Sequence, residues 1–260
     1  MAHLSDRAVL AVSGAEARGL LQGLITNDME LVTPVHAIYA AMLTPQGKIL
    51  FDFIIAERDG AFLIDCAKGM REALLKRLTL YRLRAKVAIA PRDDLHVMAA
   101  WGGELAGSFI DPRLPALGAR AIAAEGHGNA DYLSHRLSLG VPEAADFGQD
   151  KIFALDAGLD ELNAISFTKG CYVGQELTAR MKHRGTARKR LLTIESADGS
   201  ALVADAPILA DGKEIGTVMS SYGARGFGLI RLDRLEEAAN AIPKANGIPV
   251  SVTKQLWLAA

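Results

Sequence analysis

The region after Arg190 constrains the fold of this chain most strongly, because it contains only short apolar segments separated by turns. Gly, Asp and Pro interrupt the hydrophobic residues every few positions, which is typical of short strands. One short helical turn is predicted between Leu232 and Ala241. The apolar runs lie at 191–195, 201–203, 207–209, 214–219, 227–232 and 249–258. This pattern predicts a small all-β domain, either a barrel or a sandwich.

Residues 7–90 show a different pattern, in which two amphipathic helices interrupt a series of strands. Ser13 and Glu16 form a capping-box pattern that predicts a helix start, with apolar residues following at helical spacing. A second helix is predicted over 68–82 from apolar residues spaced three and four apart. Strands are predicted at 7–12, 35–43, 48–56, 61–65 and 86–90. The order β-α-β-β-β-α-β predicts an α+β layer with helices packed on a sheet.

The middle of the chain is predicted to form two more strands and one helix. The strands are expected at 94–101 and 118–124, and the helix from Asn129, a possible N-cap, to Leu139. Segment 143–167 has little periodicity and is predicted to be a largely irregular connector. The predicted domains are an α+β region at 1–186, with lobes at 1–92 and 93–186, and a β domain at 187–260.

Composition excludes several classes of protein. The chain has 260 residues, of which 50% are hydrophobic, and a net charge of −1, so no global field attracts nucleic acid or an anionic membrane. Cys66 and Cys171 provide no disulfide framework, and no spacing suggests a metal site. No signal peptide or membrane-spanning apolar run is recognisable. We therefore expect no membrane association and a reducing, cytoplasmic setting.

Cys171 stands out because small and cationic residues surround it. Gly170 and Gly174 leave space for a ligand or another backbone. Lys169 and the basic residues downstream would favour the thiolate over the thiol. Most intracellular cysteines are small buried hydrophobes, but these neighbours predict that Cys171 is a reactive, catalytic thiol. Segment 171–177 fits either a helix start or an alternating strand, and the sequence leaves both open.

Residues 169–176 read Lys-Gly-Cys-Tyr-Val-Gly-Gln-Glu, and Ala179, Arg180 and His183-Arg184-Gly185 follow. This motif resembles the signature of the YgfZ-type proteins, folate-binding relatives of the glycine-cleavage T-protein, which is an aminomethyltransferase. Eight contiguous positions make the motif specific. Similar landmarks are found at 24–28, 43–48, Arg136 and 139–143. The resemblance therefore covers roughly residues 7–190.

The resemblance implies a T-protein-like fold, with α+β folate-binding lobes around a central channel and a C-terminal small β-barrel. It also implies an accessory protein that binds tetrahydrofolate, or a polyglutamylated folate, and supports assembly or repair of iron–sulfur enzymes, including those that modify tRNA. Its partners would be folate and, transiently, iron–sulfur enzymes or assembly proteins. The positions expected to bind the folate are Asn27, Asp28, Arg136, Lys169, Tyr172, Gln175, Glu176 and Arg180.

The basic run from Arg180 to Arg190 has three possible interpretations. It is a solvated linker, a nucleic-acid contact, or a surface that recognises a polyanionic small molecule. Folates carry one or more glutamates, and arginine matches carboxylates in a two-pronged geometry. Because the whole chain is close to neutral, we expect no stable nucleic-acid binding.

Asp52 lies in an otherwise apolar run and is the second candidate catalytic residue. Its carboxylate either faces solvent on a strand or has a shifted pKa in a cleft, and the sequence favours neither. T-proteins have paired aspartates after the glycine turn, and the corresponding positions here are Phe51 and Asp52. Phenylalanine cannot transfer a proton, so whether the protein is an enzyme stays open. A folate-dependent aminomethyl transferase that uses Asp52 is the alternative function.

The cysteine count limits any iron–sulfur role. Clusters usually need about four protein ligands, mostly thiolates. Cys66 is predicted to be buried in a strand, so Cys171 alone cannot hold a stable cluster. We therefore predict an accessory factor, rather than a carrier, that either shares a cluster with a partner or a small thiol or acts on a damaged intermediate using folate.

Overall fold

The computed structural model describes residues 1–185 and 188–258, and the structural statements below refer to these ranges. The predicted boundary between residues 186 and 187 lies outside them. The helices are α1 (Ala17–Leu24), α2 (Arg71–Arg82), α3 (Tyr132–Ser138), α4 (Ala144–Phe147), α5 (Gln175–Arg184) and α6 (Leu232–Glu237). The strands are β1 (Ala2–His3), β2 (Arg7–Ser13), β3 (Ile38–Leu43), β4 (Ile49–Arg58), β5 (Ala61–Ala67), β6 (Ala88–Pro91), β7 (His96–Ala100), β8 (Phe109–Ile110), β9 (Ala119–Ala123), β10 (Lys189–Ser196), β11 (Pro207–Ala210), β12 (Lys213–Tyr222), β13 (Arg225–Arg231), β14 (Lys244–Ala245) and β15 (Ile248–Thr253).

The first sheet has five antiparallel strands in the order β3-β4-β5-β2-β6, with α1 and α2 covering one face. Side chains alternate along β4, so Phe51 and Phe53 point to one face of the sheet. There they pack in one buried cluster with Leu21 of α1 and Leu74 of α2. Asp52 points to the opposite face, which we call the inner face. The α+β order predicted from the sequence is confirmed here.

The second sheet has the order β1-β7-β9-β8 and shares a core with the inner face of the first. Tyr39 and Ile54 of the first sheet belong to the same buried cluster as Val97 and Ile122 of the second. Segment 143–167 also belongs to this core, through Phe147, Ile152, Leu155, Leu159 and Leu162. It is irregular, as predicted, but it is a packed part of the interior and not a surface connector.

The C-terminal strands close into a barrel in the order β10-β13-β12-β11-β14-β15. This confirms the predicted all-β domain and selects the barrel over the sandwich. The barrel contacts the lobes through Asp146, whose carboxylate accepts hydrogen bonds from Ser220 at 2.5 Å and Tyr222 at 2.8 Å. A second contact is the Trp257 indole N–H, which donates to the carbonyl of Leu139 at 2.9 Å. The barrel is therefore docked by specific buried bonds.

Two predicted helix starts are wrong, for local reasons. The helix predicted from Asn129 begins at Tyr132, because the Asp131 carboxylate accepts from the Ser134 amide and is the actual N-cap. The capping box predicted for α1 does not form, since Ser13 is the last residue of β2 and no side chain caps the helix.

Candidate functional site

Cys171 lies in a loop of residues 166–174, which we call the motif loop, just before α5. Its thiol side chain is exposed. Gly170 and Gly174 have φ values of +98° and +86°, a region that favours glycine. A Cβ on Gly174 would lie 2.5 Å from the carbonyl oxygen of Thr44, so the loop packs closely on the β3–β4 turn. Since α5 begins at Gln175, the helical interpretation of this segment is correct and the strand is excluded.

The ammonium group of Lys169 binds the backbone at the end of α1. Its Nζ donates to the carbonyl oxygens of Gln22, Ile25 and Asn27 at 2.6, 2.6 and 2.8 Å. These carbonyls lie at the C-terminal end of α1 and just beyond it. Burial lowers the pKa of Lys169 to about 8, and the carboxylate of Asp28 opposes that change. All three N–H donors are thus used within the chain.

Asn27 and Asp28 shape the turn that follows α1. The Asn27 side-chain amide donates to the carbonyls of Tyr39 at 2.7 Å and Asn163 at 2.8 Å. Its own oxygen accepts from the Asp28 amide at 2.8 Å. The Asp28 carboxylate accepts from the amide of Glu30 at 3.0 Å. The structure therefore places both residues beside Lys169, with most of their polar groups bonded within the protein.

The predicted residues on α5 face solvent or the loop. Glu176 and Arg180 form the expected pair four residues apart, at 2.8 Å, and both side chains are largely exposed. Gln175 is half-buried at the first turn. Tyr172 points inward and is buried, with the Lys169 Nζ 5.3 Å from its ring centre. Burial raises the pKa of the Tyr172 hydroxyl to about 12.

Acidic residues of the chain neutralise part of the basic run. Besides Arg180, Lys182 pairs with Asp160 at 2.7 Å and Arg190 pairs with Glu161 at 2.9 Å. These three cations are therefore less available to an external polyanion than the sequence suggests.

Arg136 lies away from the motif loop. Its guanidinium donates to the Asp146 carboxylate and to the carbonyl of Val141, both at 2.7 Å, and its side chain is buried. It also lies over the ring of Tyr222, 5.5 Å from the ring centre. Arg136 thus belongs to the contact between the lobes and the barrel.

Asp52 is buried on the inner face of the first sheet, so the solvent-facing alternative is excluded. The Tyr39 hydroxyl donates to its Oδ2 at 3.0 Å, whereas its buried Oδ1 has no partner. Burial raises the pKa of the Asp52 carboxyl to about 6, although the nearby Arg7 guanidinium opposes this. The pKa of the Asp52 carboxyl thus lies close to neutral pH, but the residue does not line any of the three cavities around the barrel and the lobes.

A network of buried charges beside Asp52 is not evident from the sequence. Arg7 and Arg120 donate to opposite oxygens of Asp65, at 2.7 and 2.6 Å. Arg113 donates to Glu143 at 2.6 Å and to Asp111 at 2.7 Å. The guanidinium groups hold the pKa of Glu143 well below its usual range, even though burial acts in the opposite direction. The residues of this charge network come from distant parts of the chain, so no local sequence motif could have revealed the network.

Among the cavities that the described residues line, three lie around the barrel and the lobes. The largest, about 660 Å³, lies between the end of α3 and the barrel, and we call it the barrel cleft. Gln255 is 6% exposed in its lining and donates to the Leu191 carbonyl, while its Oε1 has no partner. The other two, of about 590 and 350 Å³, lie beside α5 and beside Arg7. Arg136 lines the smallest, but neither Lys169 nor Cys171 lines any of the three.

The two cysteines have opposite environments. Cys66 is 1% exposed, and burial raises the pKa of its thiol to about 12. Across residues 1–185 and 188–258, no group of three or more His, Cys, Asp or Glu side chains could hold a metal ion. This part of the chain therefore has a single exposed cysteine thiol.

Comparisons with known proteins give consistent relatives. Residues 188–260 match the family model of the CAF17 C-terminal beta-barrel domain. The human "Iron-sulfur cluster assembly factor IBA57, mitochondrial" is 34% identical, over 90% of this chain and 78% of the human protein. The mouse protein of the same name is 31% identical over the same shares. The crystal structure of glycine cleavage system aminomethyltransferase T from Bartonella henselae has a TM-score of 0.75 and 16% identity, covering 98% of this chain and 85% of that one, and shows the fold alone.

The names of these relatives also correct one prediction. Human and mouse IBA57 are named as mitochondrial proteins, so the prediction of a cytoplasmic setting is wrong. Separately, the helices within the two described ranges are too short or too polar to cross a membrane.

Proposed function

Because this chain belongs to the YgfZ/IBA57 family of T-protein-like iron–sulfur cluster assembly factors, as its motif predicts, we propose that Cys171 is its functional cysteine. Cys171 contributes one thiolate to a cluster whose other ligands come from a partner protein or a small thiol. Transient partners are thus iron–sulfur enzymes, including those that modify tRNA, or assembly proteins.

The contrast between the two cysteines carries this proposal. Cys171 is exposed on a closely packed loop, whereas Cys66 is sealed inside the first sheet. Clusters usually require about four ligands, so a chain offering one thiolate acts together with another molecule. An exposed thiol on an ordered loop suits such shared ligation.

A deletion strain that lacks this protein provides the test. We expect Cys171→Ala to abolish rescue of iron–sulfur enzyme activity, because no other accessible thiol can replace it. Cys66→Ala is the matched control, and it should retain rescue because that thiol contacts only the protein interior. Full rescue by a folded Cys171→Ala protein would refute the proposal.

Folate binding is the second part of the proposed function, and the barrel cleft fits such a ligand. A volume of about 660 Å³ is within the range of small-molecule sites, and Leu137, Leu139 and Trp257 provide apolar walls. The unpaired Gln255 oxygen can accept from the N–H groups of a pterin. Lys254 lines the same cleft and can meet a glutamate carboxylate, whereas Arg225 in that lining is paired with Glu195 at 3.0 Å. Bound folate would supply one-carbon chemistry, whereas these residues bind and orient it.

Three of the predicted folate ligands are occupied within the protein. Asn27, Lys169 and Arg136 donate to groups of the protein itself, so binding folate there would first break those bonds. Buried polar atoms without a partner are found both in the barrel cleft, at the Gln255 Oε1, and at the motif loop, at the Tyr172 hydroxyl, but the barrel cleft adds a cavity of ligand size.

Thermal unfolding with added tetrahydrofolate tests the binding site, because a ligand specific for the folded state must stabilise it. We expect a concentration-dependent rise in Tm that Gln255→Met reduces. For a polyglutamylated folate, Lys254→Gln should weaken binding, whereas Lys76→Gln, on the exposed face of α2, should not. A Tm that does not respond to folate would remove this part of the proposal.

Aminomethyl transfer, the alternative, depends on Asp52 as its acid–base group. The near-neutral pKa of Asp52 favours such a role. Its carboxyl is 2% exposed and lies outside the three cavities, which favours the accessory role instead. Turnover of methylene-tetrahydrofolate with an amine, lost in Asp52→Asn, would establish the transferase.

A further inference from the structure

We propose that Lys169 is a positioning residue for Cys171: its ammonium group fastens the motif loop to the end of α1 and thereby fixes where the thiol stands. This inference rests on the proposed role of Cys171 in cluster ligation.

The N–H donors of Lys169 match the carbonyl acceptors at the end of α1 in number. An ammonium has three N–H donors, and three carbonyl oxygens converge on Lys169 at 2.6 to 2.8 Å. Carbonyls at the C-terminal end of a helix have no partner within the helix and carry partial negative charge. Lys169 therefore serves as a side-chain cap of α1 that arrives from 144 residues away, counted from Ile25.

Lys169 is also close to Cys171 along the chain. Only Gly170 separates the two residues, and with its φ of +98° it turns the chain sharply between them. Among the described residues, Lys169 is the member of segment 167–171 whose side chain hydrogen-bonds to the end of α1. On the other side, Gly174 packs on Thr44. Tyr172, the next residue after Cys171, is buried in the core, so Lys169 holds the loop on the N-terminal side of the thiol, and Tyr172 with Gly174 holds it on the C-terminal side.

Lys169 could act through the geometry of its hydrogen bonds or through its positive charge alone. The Lys169 ammonium donates to the three carbonyls and is half-buried, so its hydrogen bonds hold the backbone in place. An arginine would keep the positive charge but spread its donors over a planar fork. It cannot direct three N–H groups from one atom at three converging oxygens. Lys169→Arg therefore distinguishes a requirement for geometry from a requirement for charge.

Hydrogen–deuterium exchange of the motif loop is the direct test. We expect Lys169→Met to accelerate exchange of the amides in peptides covering 166–174 by about tenfold or more, because three carbonyls lose their donor. Lys48→Met is the matched control, since Lys48 makes one bond to the carbonyl of Asp150, at 3.1 Å. If the methionine variant does not fold, Lys169→Arg replaces it, and we expect the same faster exchange.

Function is measured beside exchange. Lys169→Met should lose rescue of iron–sulfur enzyme activity while its Cys171 still reacts with iodoacetamide, and Lys169→Arg should fail to restore rescue. Unchanged exchange in the variants, or full rescue despite faster exchange, would overturn the inference. Failure of the proposed function looks different: Cys171→Ala would then rescue fully, whereas the exchange result for Lys169 would be unaffected.

Discussion

Replacing Asp52 with asparagine should stabilise this protein at neutral pH. The Asp52 side chain is 2% exposed, and its Oδ1 has no hydrogen-bond partner, so its ionised form is poorly solvated. Asparagine has nearly the same shape, carries no charge and can still accept the hydroxyl bond from Tyr39. The substitution therefore removes a buried charge and keeps the bond to Tyr39.

The pKa of Asp52 gives the size of the expected stabilisation. It rises from 3.8 to about 6 on folding, and one pKa unit corresponds to about 1.36 kcal/mol. Ionised Asp52 thus costs the folded state about 3 kcal/mol above pH 6. Between about pH 4 and pH 6 the folded state binds more protons than the unfolded state, so this contribution to stability falls as pH rises. Below about pH 4 both states are protonated and the cost disappears.

Urea unfolding of the wild type and of Asp52→Asn, at about pH 7.5 and about pH 4, measures this. We expect the variant to be more stable by up to about 3 kcal/mol at the higher pH, with little difference at the lower. Tyr39→Phe is the companion variant. Because it removes the donor to the carboxylate, it should destabilise the protein more at the higher pH. An asparagine variant less stable than the wild type at pH 7.5 would refute the argument.

Two further predictions concern the docking of the barrel. Gly140→Ala should lower the free energy of unfolding by about 2–4 kcal/mol, because Gly140 has a φ of +63° and a Cβ there would lie 2.4 Å from the Gln255 Cγ. Equilibrium unfolding in urea measures this change. Gly223→Ala is the control, because Gly223 has a similar φ but lies in open space. Asp146→Asn should cost about 1.5–3 kcal/mol by removing the charged acceptor of the buried Arg136, near which Glu143 remains as a second carboxylate, and an unchanged Tm would contradict this.

Elements with a strong local signal could be predicted from the sequence. The apolar spacing of α2 gave a correct element, because burial on one face imposes the period of the helix. The strand β4 and the all-β C-terminal domain followed from apolar runs bounded by turn residues, whereas the choice of a barrel over a sandwich came from the structure. Helix starts were less reliable, since Asn129 and Asp131 are both good caps and tertiary packing chose between them.

The chemistry of individual polar residues depended on contacts that no local pattern encodes. Asp52 could have faced solvent or a cleft, and the choice was made by which face of the first sheet meets the second. Lys169 looked like a partner for the thiolate because the two residues are close in sequence. Its actual acceptors lie on α1, so only the folded chain shows that its charge is used elsewhere.

The polar residues of the motif therefore divide into two roles. Lys169, with Asn27 and Asp28 beside it, uses its polar groups to hold the loop against α1, and Gly174 allows the close approach to Thr44. Cys171 remains as an exposed thiol on that support, and it is the group that we propose to be reactive. The barrel cleft, where a buried acceptor is unpaired, does not include the thiol among its lining residues. Folate bound there would affect the thiol through the fold and not by direct contact, which separates this arrangement from one in which a cofactor and a nucleophile share one pocket.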